Sequence, residues 1–377
     1  MALAPEDLPE PDRIEGAPHP RETTTLIGHA AAQAEFLGNF NAGRLHHGWL
    51  ISGPRGVGKA TLAWKIARFL LATPENDGGM FAPPPPDSLD ISPDHPVARR
   101  MAALSEGRLF LLRRGKNSTG TGLSADIRVD EVRQMKSFFS LSAADGGRRV
   151  AIIDSADEMN PGAANALLKL LEEPPAGVTL LLVSHQPFRL LPTIRSRCRE
   201  LRLTTLPPEP LAAALAQAGA DVADRDVAAL AELAGGSVGQ ALQLGTLEGL
   251  THYRSLIALM ATLPRLDRPR ALALAELGAG RGNEPRFDLL VTLIDLLLAR
   301  LARAGTLGHC PPEACPGEAA LIARLAPTPT AARIWADLAQ SLGLRARRGK
   351  AVNLDPAALL LDMILKIDET AALLAQR

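Results

Sequence analysis

A parallel α/β domain followed by all-helical segments is the fold class that this sequence predicts, and three observations predict it. Apolar runs of strand length alternate with segments of helical period over residues 25–206, the rhythm of strands running in one direction with helices between them. A glycine-rich turn, Gly53-Pro54-Arg55-Gly56-Val57-Gly58-Lys59, stands between one such run and the helix after it. Past Pro207-Pro208 the strand signal vanishes, and leucine- and alanine-rich helical patterns take over.

Taken in order, residues 1–24 are rich in Pro, Glu and Asp and follow neither period, so they read as a flexible leader. Residues 30–41 have helical spacing, and Gly48-Trp49-Leu50-Ile51-Ser52 is a short strand feeding the glycine turn. Leu62, Ile66 and Phe69 then recur at i, i+4 and i+7, which offers one apolar face to a sheet. Between residues 72 and 96, Gly78-Gly79 and the prolines at 83–86 can neither continue a helix nor donate to a ladder, which predicts a long loop. Leu109-Phe110-Leu111-Leu112 resumes order, followed by a helix over 129–139 and a strand over 150–154. Asn160-Pro161 reads as the cap and first turn of a helix with Ala164, Leu167, Leu168 and Leu171 as its buried stripe, ended by Glu172-Glu173-Pro174-Pro175. Residues 178–183 form a continuous apolar run, as expected of a strand covered on both faces. Residues 207–248 are then expected to form a small domain of short helices, and residues 249–377 a helical bundle.

Composition narrows the function classes. At 377 residues and 46% hydrophobic content the chain has material for two or three cores, and its formal net charge of zero excludes bulk attraction to a polyanion. Cys198, Cys310 and Cys315 cannot make a disulfide framework, which suits a reducing, cytoplasmic compartment. The first ten residues are acidic and broken by proline, unlike a secretion signal, and the apolar stretch 289–298 is interrupted by Asp295 and short of the ~20 residues that a bilayer needs. No membrane contact is expected.

The chemistry concentrates in three places. A glycine turn between strand and helix points backbone N–H groups at a phosphate while a lysine counters the outer charge, and Gly53, Gly56, Gly58 and Lys59 match that pattern. The next residue is Ala60, where a magnesium-ligating hydroxyl belongs; Thr61 comes one residue late, turned by ~100° around the helix. Asp154 ends its strand with a carboxylate suited to a metal-bound water, but Ser155 follows in place of a water-polarising glutamate. Asp157 and Glu158 are either substitutes for it or a solvated acidic turn before the Asn160 cap. Efficient ATP hydrolysis is not expected from such a set. Arg197, in Ser196-Arg197-Cys198 and flanked by Arg195 and Arg199, reads by itself as part of a solvated face or as a salt-bridge partner.

The run Asn165-Ala166-Leu167-Leu168-Lys169-Leu170-Leu171-Glu172-Glu173-Pro174-Pro175, together with Leu191-Pro192-Thr193-Ile194-Arg195-Ser196-Arg197-Cys198, resembles bacterial clamp-loader subunits of the AAA+ class. The likeness extends to Leu45-His46-His47-Gly48-Trp49-Leu50 and to Ile127-Arg128-Val129-Asp130-Glu131-Val132-Arg133, and so covers most of residues 25–206. It implies an AAA+ phosphate-loop core over 25–206, a helical lid over 207–248 and a helical collar for oligomerisation over 249–377. It also implies a place among other clamp-loader subunits (delta and gamma/tau) in a hetero-pentamer that loads a sliding clamp on primed DNA. Arg197 would then serve in trans at a neighbour's ATP, and Ser184 falls at the first phosphate sensor. Gly239 replaces the arginine of the second sensor. By the same resemblance no cofactor is required, ATP or ADP would bind weakly, magnesium only with nucleotide, and no zinc is expected, since the loop at 72–96 lacks the four cysteines of many relatives. An ATP-hydrolysing motor subunit, or another AAA+ ATPase, stays open as the alternative. His309, Cys310 and Cys315 read as a turn with free thiols, and Arg345, Arg347, Arg348 and Lys350 as a solvated basic run or a DNA-backbone contact.

Overall fold

The computed structural model describes residues 10–14, 16–74, 84–117, 122–141, 147–220, 222–280 and 282–376. It divides into two compact units, Met1–Gly219 with Ser237–Gly239, and Ala220–Gly236 with Gln240–Arg377.

The first unit runs α1 (Ala30–Asn41), β1 (Gly48–Ser52), α2 (Lys59–Ala72), α3 (Pro96–Ala102), β2 (Leu109–Leu112), α4 (Val129–Leu141), β3 (Arg149–Asp154), α5 (Pro161–Glu172), β4 (Val178–Ser184), α6 (Pro192–Arg195), β5 (Arg199–Arg202) and α7 (Pro208–Gln217). The five strands form one parallel sheet in the order β2-β3-β4-β1-β5. Every residue of β1, β3 and β4 is buried, because helices cover both faces. Alternation divides the side chains between two cores. Trp49, Ile51, Ile152, Leu181 and Val183 pack with Phe36 of α1 and Leu62, Ile66 and Phe69 of α2. Leu50, Ala151, Ile153, Leu180 and Leu182 pack with Val132 and Met135 of α4 and Leu167, Leu170 and Leu171 of α5. In α5 the buried stripe takes Leu170, while Leu168 is half-buried, and Asn160 Oδ1 accepts from Ala163 N at 2.9 Å as the expected cap.

Two expectations differ from the structure. β5 was not foreseen: it lies at the edge of the sheet against β1, and of Arg199-Glu200-Leu201-Arg202 only Leu201 is buried, so no apolar run marks it. The flexible leader does not hold over the described part of residues 1–24. Residues 1–9 and 15 lie outside the described residues, but the side chains of Asp12 and His19 are 1% and 0% exposed, 3.1 Å apart. A segment without hydrophobic period is held here by charge pairs. Of the predicted loop, residues 84–95 carry no helix or strand, and Gly78, Gly79 and Pro83 lie outside the described residues.

The second unit is helical: α8 (Asp224–Leu233), most of α9 (Val238–Thr246), α10 (Gly249–Met260), α11 (Arg268–Glu276), α12 (Glu284–Leu307), α13 (Glu318–Leu325), α14 (Pro329–Ala351) and α15 (Pro356–Ala375). Among the described residues no helix is long and apolar enough to cross a membrane. Among the described residues its core holds a charged node. Glu318, fully buried, accepts from Tyr253 OH at 2.6 Å, Arg300 Nε at 2.5 Å and Ala314 N at 2.7 Å. Removing the carboxylate leaves the buried Arg300 guanidinium short of its counter-charge, so Glu318→Ala should lower stability by about 3–5 kcal/mol in urea denaturation, and Glu318→Gln by less.

Candidate functional site

The carboxyl ends of β1, β3 and β4, which are neighbours in the sheet, bring Gly53, Gly56, Gly58, Lys59, Asp154 and Ser184 to one end of it. Gly53 (φ 143°) and Gly56 (φ 76°) adopt left-handed backbone, and a Cβ would fall 2.3 Å from Leu203 O at the first and 2.4 Å from Ser237 Oγ at the second. Both positions therefore require glycine for conformation and for space. Gly58 precedes α2 as its N-cap, and Lys59 opens the helix with only 3% exposure. Its Nζ donates to the carbonyl oxygens of Gly53 (2.8 Å) and Pro54 (2.5 Å), so the ammonium is bonded to the loop that carries it. Burial brings its pKa down to about 8, against the charges of Asp154 and Asp157 that favour the cation. Ala60 and Thr61 follow, both half-buried.

Asp154 is 6% exposed at the end of β3, where burial and then the charge of Asp12 push its carboxyl up to about 7 in spite of Ser155 and Lys59. Ser155 Oγ donates to Asp154 Oδ1 at 3.2 Å and lies 2.9 Å from His185 Nε2. Burial, together with the charge of Lys59, lowers the His185 imidazole to about 4. The two carboxylates considered as substitutes for the missing glutamate are both engaged elsewhere. Asp157 accepts from the backbone N–H groups of His185 (3.0 Å) and Gln186 (3.2 Å), and Glu158 pairs with Arg114 at 2.9 Å. Ser184 is fully buried, and its Oγ has no hydrogen-bond partner among the described residues.

Three contributors to this end of the sheet escaped the sequence reading: Asp12, Ile14 and Arg113. Gly239, whose N–H donates to Gly56 O at 2.9 Å, has no room for a side chain, because a Cβ there would meet Ile14 Cδ1 at 2.8 Å and Gly56 Cα at 2.9 Å. No local pattern announces such a contact, since its partners are more than forty residues apart along the chain.

Arg197 stands apart from all of these. Its carbonyl lies beside Gly48 at the start of β1, whereas Gly53, beyond the end of β1, abuts Leu203. At ~3.3 Å per residue the length of strand between those levels is about 17 Å, well past the reach of an arginine side chain. The Arg197 side chain is 37% exposed; its guanidinium lies 3.0 Å from Glu172 Oε1 and donates to Thr193 O at 3.1 Å. Beside it, burial pushes the Cys198 thiol up to about 12, so this sulfur is no nucleophile at neutral pH.

The remaining candidates have partners. Cys310 Sγ lies 3.7 Å from Ala319 O, Cys315 is buried, and among the described residues no group of three or more His, Cys, Asp or Glu is placed to hold a metal ion. Arg345 pairs with Asp362 (2.9 Å), Arg347 with Asp295 (3.7 Å) and Lys350 with Asp288 (2.5 Å), which offsets most of that basic run.

The raised carboxyl of Asp154 has a thermodynamic consequence. Its folded value of about 7 exceeds the ordinary 3.8, so the folded chain holds a proton that the unfolded chain releases, and stability is lost as pH rises from about 4 to about 7. Asp154→Asn does not titrate. At ~1.4 kcal/mol per tenfold change in proton affinity, its advantage over the native chain should grow to a few kcal/mol across that window and level off above it, as thermal melts at pH 5 and pH 8 would show.

Residues 28–207 match the family model described as DNA polymerase III, delta subunit. The chain is 36% identical over 203 residues to the DNA polymerase III subunit delta' of Pseudomonas aeruginosa, a stretch that covers 54% of this chain and 56% of that protein. It is 28% identical over 345 residues to the subunit delta' of Escherichia coli, covering 89% of this chain and 92% of the other. Among solved structures, a DNA polymerase III gamma subunit-related protein of Thermotoga maritima aligns with 89% of this chain and 99% of its own at 18% identity and a TM-score of 0.41. Residues 28–207, which carry the whole parallel sheet, are thus the part of the chain that resembles the DNA polymerase III delta-subunit family.

Proposed function

We propose that this chain is a delta-prime-type subunit of a bacterial DNA polymerase III clamp loader, acting by assembly and by lending Arg197 to the ATP site of a neighbouring subunit. The observation that carries this reading is the separation of Arg197 from its own phosphate-type loop by the length of β1. An arginine that cannot reach the phosphate in cis, yet keeps a third of its surface open, is available to a second chain. Its present partners, Glu172 and the Thr193 carbonyl, form an exposed pair of the kind worth at most about 1 kcal/mol, readily exchanged for phosphate oxygens that suit the guanidinium fork better.

The residues of the chain's own loop do not fit a magnesium nucleotide. Position 60 offers a methyl group, Lys59 is bonded to loop carbonyls, Asp154 is half-protonated near neutral pH, and Asp157 and Glu158 are committed to other partners. In this reading the chain requires no cofactor and no zinc, and ATP or ADP binds weakly if the loop is reached. The partners are the delta and gamma/tau subunits of a cytoplasmic hetero-pentamer, with the sliding clamp and primed DNA met through the complex. The names of the relatives support the assembly, and the helical second unit supplies surface for it. The rival, an ATP-hydrolysing motor subunit, would have to hold magnesium without a hydroxyl at position 60.

An arginine finger is worth ~10³–10⁵ in hydrolysis at its site. Arg197→Ala in the reconstituted complex should therefore cut clamp loading and clamp-stimulated ATPase by roughly tenfold or more while gel filtration shows unchanged assembly, and Arg197→Lys should restore little. Loading at the native rate by Arg197→Ala would remove the role from this residue, and steady ATP turnover by the isolated chain would favour the motor reading.

A further inference from the structure

The segment before α1 does more than precede the fold. Its base is fixed on α2: the His19 ring, fully buried, stands edge-on to Trp64 with centroids 5.9 Å apart, and Arg68 Nη2 donates to Arg21 O at 2.7 Å. From there the chain is laced toward the carboxyl end of the sheet by charge. Asp12 lies 3.1 Å from His19 Nε2 and 3.1 Å from Nη1 of Arg113, the residue just after β2. Glu10 pairs with Arg21 at 2.5 Å and faces Arg113 at 3.5 Å. At the tip, Ile14 Cδ1 meets Gly239 where that residue touches Gly56 of the glycine loop. Burial raises the Asp12 carboxyl, yet His19 and Arg113 outweigh it and hold the group below the usual carboxylate range. Asp12 is thus an anion in the lacing, and its charge is felt by Asp154.

We propose that residues 10–14 and 16–22 form a strap that seals the glycine loop, so that nucleoside triphosphates are kept out by the chain's own N-terminal segment and not only by the missing magnesium ligand. This deepens, and rests on, the reading of residues 53–59 as a phosphate-type loop. A polyphosphate approaching the loop N–H groups finds the side chain of Ile14 at Gly239, beside Gly56, and enters the field of the Asp12 carboxylate that Asp154 already feels. It has to displace the strap first. That displacement exposes a carboxylate that is now 1% exposed, paired with the Arg113 guanidinium and set 3.1 Å from the His19 ring, so the binding-competent form is a minor one and the apparent affinity falls in proportion to its population.

The test is binding of a fluorescent ATP analogue, labelled on the ribose, to the full-length chain with and without magnesium. The double variant Asp12→Ala/Ile14→Ala loosens the strap from within, and Arg113→Ala loosens it from outside should the first fail to fold. Faster hydrogen exchange at residues 16–22 reports that either has worked. Each loosened chain is expected to bind roughly tenfold or more tighter than the native chain, and adding Lys59→Ala should abolish the gain. Equal affinity in native and loosened chains, whether measurable or absent in both, overturns the strap. A gain that survives Lys59→Ala overturns instead the reading of the loop as the phosphate site, and neither result touches the test of Arg197 in the complex.

Discussion

The polarity of the parallel sheet is the constraint from which the rest of this structure follows. Parallel strands cannot be joined by tight hairpins, so each crossover carries a helix, both faces of β1, β3 and β4 are covered, and all carboxyl ends emerge on one side. The glycine loop leaves β1 at that end, and Asp154 and Ser184 arrive there from β3 and β4. β5 runs in the same direction, so the residues that lead into it, Arg197 among them, are placed at the opposite end. The glycine loop and Arg197 are thereby held at opposite ends of the sheet, which is the geometry that the proposed service to a neighbouring subunit needs.

Close backbone approach gives the loop end its character. Gly56 and Gly239 touch through a hydrogen bond that tolerates no side chain at either position, and Lys59 is satisfied by carbonyls of its own loop. The charges there are correspondingly displaced from their ordinary values, Lys59 downward and Asp154 upward, both first of all because burial penalises the charged form. A site that binds and hydrolyses would arrange the reverse, with open donors and an ionised metal ligand. The exposed arginine at the other end of the sheet is held only by surface partners.

How much of this was legible before the fold depended on distance along the chain. The strand at Gly48–Ser52, the helix at Ala30–Asn41, the Asn160 cap and the glycine loop are local patterns, read from hydrophobic period and turn chemistry within a few residues. Arg197 and Ala60 could be named for the same reason. β5 could not, because an edge strand next to a single neighbour has solvent for most of its side chains and is written in charged residues. The leader was misread on composition, since ion pairs to Arg113 and a ring contact to Trp64 leave no period in the segment that they hold.

The sequence by itself determined the class of fold, the place of the phosphate-type loop, the absence of a hydroxyl beside its lysine, and the presence of an arginine in a recognisable setting, because each is a matter of residue type and short spacing. Only the tertiary structure decided that Asp157 and Glu158 are occupied with other partners, that Lys59 bonds to its own loop, that Ile14 and Gly239 meet over Gly56, and that Arg197 lies a strand's length away. Those are contacts between residues remote in sequence, and they exist only once the parallel strands have set their register and the buried charges have found their counter-charges.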